Sequence, residues 1–160
     1  DGLWTAANFS INTGEWTHVA VTYVNSNSNN TPTFYVNGSS QTTTTVEQPT
    51  GTPNTENLFS LVLGNNASAT RTFDGHLQEE AFWNVVLTSD EIRILASSRL
   101  IGTPLQVRPS ALIAYYPLDE FSDGITASGA ASIRDRSANT NNGTPTNSPV
   151  GRASEILSYP

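Results

Sequence analysis

The sequence predicts an all-β fold, an antiparallel β-sandwich with one short helix. Three observations carry that expectation. Apolar and polar residues alternate in short runs, the period of a half-buried strand. Asn, Gly and Pro clusters separate those runs, as turns do. One segment alone combines helix-start signals with an apolar face of helical spacing.

Taken in order, "EWTHVAVTYV" (15–24) alternates strictly, with Thr17, Val19, Val21 and Tyr23 on one face and Trp16, His18, Ala20 and Thr22 on the other. It predicts a strand with a strongly apolar face. "NSNSNNTP" (25–32) is a polar turn. "TFYVNGSSQTTTT" (33–45) is an aromatic strand running into Asn37-Gly38, a tight-turn signal. "NLFSLVLGNN" (57–66) predicts another buried strand, and "RTFDGHLQEEAFWNVVL" (71–87) the longest strand region, with a bend at Gly75. In "LTSDEIRILASS" (87–98), Thr88 caps a helix, Glu91 reaches back to complete a capping box, and Leu87 and Ile92 stand at staple spacing. "SALIAYYPLDEF" (110–121) returns to strand and stops at Pro117. The Gly/Ser/Asn/Thr-rich remainder predicts long loops, with a short strand at Ser132–Arg134 and a last strand in "RASEILSY" (152–159).

Composition narrows the function classes. The 160 residues suffice for one domain with a sizeable core. The net charge of −7 argues against nucleic acid, because no basic stripe is present to neutralise phosphates. No apolar run approaches bilayer length. No Cys, Met or Lys occurs, and all seven cations are Arg. Disulfides, thiolate metal sites and lysine isopeptide staples are thereby excluded within these residues. The Thr, Ser and Asn content suits an extracellular β-protein, and the start "DGLW" suggests a piece or mature form of something larger.

The most conspicuous candidate for chemistry is "DGHLQEEAFWN" (74–84), where Glu79 and Glu80 adjoin. Paired carboxylates are the working parts of glycosidases, which in the retaining class stand about 5 Å apart across one bond. On a strand, however, neighbours point to opposite faces. Glu80 then shares its face with Gln78 and Phe82, and Glu79 with Leu77 and Ala81. An amide cannot act as nucleophile or acid, so the expectation is no catalytic residue and no enzyme.

"GEWTHVAVTY", "FYVNG", "LVLGNN", "FDGHLQEEAFWN" and "LTSDEI" follow, in order, what resembles the second half of a laminin-G-like jelly roll, the concanavalin A-like lectin/glucanase sandwich. "ALIAYYPLDE", "DRSANTNNGT" and "PVGRASEILSY" resemble the opening of the same domain. The resemblance implies a single jelly-roll sandwich over 1–160, permuted or incomplete. Residues 1–100 would form its back half and 110–160 its front half. It also implies that the strand from Ala111 pairs beside the strand ending at Trp83. Intervening family strands are missing, and unpaired edges are templates for a neighbour's strands.

The family often carries a calcium at one rim, and Asp135, Asn139 and Asn141, with Asn142 and Gly143, stand in that loop here. Oxygen donors of this kind suit calcium, with a second carboxylate needed from Asp119, Asp123 or Asp74. The same residues also suit an Asx-rich turn whose side chains bond their own backbone. His18 and His76 lack nucleophile or ligand neighbours at a useful spacing. Trp4, Trp16 and Trp83 are sugar-stacking candidates, or core. Sequons occur at Asn8, Asn29, Asn37, Asn66 and Asn142.

Two functions follow. One is a non-enzymatic extracellular or cell-surface module for adhesion, binding glycans or neighbouring protein modules. The other is a structural subunit of a homopolymer or filament, completed by strands from neighbours.

Overall fold

The computed structural model describes residues 2–6, 11–52, 60–66, 68–97 and 103–152. Among them, seven strands form three antiparallel sheets, with one α-helix. The strands are β1 (Leu3–Ala6), β2 (Val19–Thr22), β3 (Thr33–Val36), β4 (Ser39–Ser40), β5 (Thr43–Glu47), β6 (Glu80–Trp83) and β7 (Leu112–Tyr116). β1 pairs with β5, β2–β3–β4 make a three-stranded sheet, and β6 pairs with β7. These all-antiparallel pairings and the single helix fit the β-sandwich expected of the sequence.

The local signals act where they stand. Asn37 and Gly38 both have positive φ, at 46° and 77°, and close the β3–β4 hairpin. Gly38 is needed twice over, since a Cβ there would also lie 3.1 Å from the Arg93 backbone. Helix α1 (Ser89–Ala96) starts at Thr88 with the full capping box. The Glu91 N–H donates to Thr88 Oγ1, and the Thr88 N–H donates to Glu91 Oε2 at 2.8 Å. Leu87 and Ile92, on either side of that cap, are both buried in the core. β7 ends before Pro117, which has no N–H to extend the ladder.

The core joins four elements. Tyr35 of β3, Leu87, Ile92 of α1 and Val107 pack together, with Ala20, Trp83 and Leu95 against them. Trp83 Nε1 donates to the Val107 carbonyl at 2.8 Å, tying β6 to the short 3-10 turn Pro104–Gln106.

Several expectations change. The 71–87 region is a strand only over Glu80–Trp83, because Glu79 sits in the left-handed region (φ 61°) and breaks the extension. Residues 60–66 form no strand: Leu61 and Val62 are exposed, and Asn65 and Asn66 turn their side chains onto the backbone of Arg71 and Thr70. In β2 it is the Ala20 face that meets the core, while Val19 and Val21 point outward. The short strand at Ser132–Arg134 reduces to a single bridge, Ile133 with Gly143. Residues 153–159 of the expected last strand lie outside the described residues.

β6 and β7 pair in register from Glu80 with Tyr116 to Trp83 with Leu112. The expected pairing of the strand from Ala111 with the strand ending at Trp83 is therefore present within one chain.

Candidate functional site

The acidic pair is parted by its cross-strand neighbours. Tyr115 stands opposite Ala81 and donates its hydroxyl to Glu79 Oε2 at 2.6 Å. Glu79 thus lies on the Ala81 side of the sheet. Glu80 stands opposite Tyr116. Burial raises the Glu80 pKa, and burial followed by the Glu79 carboxylate raises that of the Tyr115 hydroxyl. A raised carboxyl pKa is what a general acid needs, but the second carboxylate here is engaged on the other face.

Around Asp135 the loop folds onto the outer edge of β7. Asp135 Oδ1 accepts the N–H groups of Tyr115 (2.9 Å) and Ser137 (2.8 Å). Its Oδ2 accepts the Asn141 N–H (2.8 Å) and the Ser137 hydroxyl (2.9 Å). Burial pushes this carboxyl's pKa up, but the N–H donors of Tyr115, Ser137 and Asn141 outweigh it and hold the pKa below the ordinary value. Asn139 Nδ2 donates to the Leu112 carbonyl (2.9 Å) and Asn141 Nδ2 to that of Ile113 (2.8 Å). The Arg136 N–H donates to the Tyr115 carbonyl (2.7 Å), and Asn142 Oδ1 accepts the Asp135 N–H (3.0 Å).

The sequence candidates Asp135, Asn139 and Asn141 are therefore brought together, with four donors already on the carboxylate. Asp119 pairs with Arg136 at 3.5 Å and Asp123 with Arg152 at 3.4 Å. Among the described residues, no three His, Cys, Asp or Glu side chains gather as a metal would require. The donor set as it stands fits an edge-covering turn, and a cation would have to displace N–H groups from Asp135.

A different locus is an open, uncharged depression. The β2–β3 connection opens a cleft of about 570 Å³ lined by Thr22, Tyr23, Ser26, Asn29, Asn30 and Thr33, among others, with no charged side chain. Asn30 Nδ2 donates to the Val24 carbonyl at 2.8 Å and Asn27 Oδ1 accepts the Asn29 N–H at 2.8 Å, which shapes the loop. Trp4 of β1 braces Tyr23, their ring centroids 5.7 Å apart. Tyr23 keeps 36% of its surface exposed. Sequence reasoning passed over this site because its residues read as an ordinary polar turn; the only signal was an aromatic residue beside neutral hydrogen-bonding groups.

The other aromatic and histidine candidates have structural places. Trp83 belongs to the core and Trp16 lies 6.2 Å from the His76 ring. The His18 backbone brackets the tight turn, its N–H donating to Asn37 Oδ1 (3.0 Å) and its carbonyl accepting the Asn37 N–H (2.8 Å). Burial lowers the pKa of its ring.

A family model of the laminin G type, described as the concanavalin A-like lectin/glucanases superfamily, matches residues 2–93, more than half of the chain. Neither curated proteins nor solved structures gave a match.

Proposed function

Because the chain belongs to the concanavalin A-like lectin/glucanases superfamily, we propose that it is a non-enzymatic binding module, working outside the cell or at its surface, that takes a neutral glycan. The Tyr23 cleft supports this reading. A partly exposed aromatic face beside hydroxyl and amide groups suits a sugar ring, which offers one apolar face and a rim of hydroxyls. The absence of charge in the lining favours neutral sugars over acidic ones.

Glycan-array binding by the full chain tests it. Neutral glycans should be retained without turnover, and Tyr23→Ala should weaken retention at least about tenfold while leaving the fold intact. Hydrolysis of any glycan lost in Glu80→Gln would overturn the non-enzymatic reading. Binding confined to acidic glycans and abolished by Arg134→Ala would move the site to the Asp135 loop, whose neighbouring cleft of about 360 Å³ carries Arg134 and Arg136.

A second reading, a module that binds neighbouring protein modules or builds a homopolymer, is favoured by the uncovered Val19–Val21 face. Calcium at Asp135 is a separate reading, and the four donors already on that carboxylate make any such binding weak and dispensable.

A further inference from the structure

We propose that the outward face of the β2–β3–β4 sheet docks a second copy of this chain, sheet face against sheet face. Antiparallel register places Val19 opposite Val36 and Val21 opposite Phe34, so these four apolar side chains share one face. The opposite face, with Ala20 and Tyr35, is already packed in the core. Val19 and Val21 remain 55% and 58% exposed. Single exposed valines are ordinary; an apolar row on a regular sheet marks an interaction surface.

Charge selects the occupant. At −7 the chain repels its own copies wherever acidic groups meet. Residues 16–46, which supply this whole sheet, contain no Asp, Glu, Lys or Arg. Burial lowers the His18 pKa and so keeps that ring neutral at pH 7. This is the surface on which two acidic copies approach without like-charge opposition. A face meeting itself across a two-fold axis is self-complementary by construction. Two such faces would stack like the halves of a β-sandwich.

The test uses the full chain without any glycan, so it stands apart from the Tyr23 reading. Sedimentation equilibrium in the micromolar range should find a dimer. Val21→Glu should raise its dissociation constant at least about tenfold, while Val46→Glu, on the exposed side of β5, should leave it unchanged. Because the chain has no cysteine, a single Val21→Cys thiol reports the contact even where the glutamate variant misfolds. A short bis-maleimide should join two copies through Cys at 21 and not through Cys at 46. A folded monomer throughout that range, or equal cross-linking from both positions, would overturn the proposal.

Discussion

At the scale of single residues, Asp135 has the largest structural role of any charged side chain described. Its two oxygens hold four donors from β7 and from its own loop. Asp135→Asn replaces one acceptor oxygen with an NH₂ that opposes two of those donors, at an expected cost of about 2 kcal/mol. Chemical denaturation of both proteins measures it. The sign with pH follows from the lowered pKa: the stabilisation is complete above the unfolded carboxyl's pKa and fades as pH falls through the folded one. Because the carboxylate is already saturated, millimolar calcium is expected to leave the melting temperature unchanged. A rise that Asp135→Asn abolishes would instead establish a calcium site there.

At the scale of elements, α1 is the clearest case of a structure written locally. Arg108, itself at a positive φ of 49°, donates to Glu91. That bond and the Thr88 N–H hold the Glu91 pKa at about 2. The cap is thus intact at neutral pH and is lost as pH falls from about 4.5 towards 2. In Arg108→Ala, NMR titration should find the Glu91 carboxyl closer to its ordinary range. The capping box, the Asn37-Gly38 turn and the stop at Pro117 were legible because each depends on residues within a few positions of one another. The 60–66 segment was not. An apolar run becomes a strand only when a partner accepts its backbone, and no sequence window contains the partner. The covered side of β2 was not legible for a related reason: alternation separates two faces, but distant residues such as Tyr35 and Ile92 decide which one is covered. The Asp135 cluster was found as a loop, yet its bonds reach back to Leu112, Ile113 and Tyr115, beyond any local pattern.

At the scale of the whole molecule, the Val19–Val21 face of the β2–β3–β4 sheet is left uncovered. If the second copy covers it, stability depends on protein concentration by mass action. The melting temperature of the wild-type chain should therefore rise with concentration, and that of Val21→Glu should be lower and constant. Differential scanning calorimetry at several dilutions separates the two cases. Loop 135–142 closes one route to further association. An open strand edge recruits further chains because its N–H and C=O groups repeat at regular intervals. Along β7 those groups already face a carboxylate and two amides whose spacing no incoming strand can copy. Strand addition ends at this margin, as at the hem of a cloth, and the chain is protected there from the runaway stacking that turns exposed β-structure into fibres.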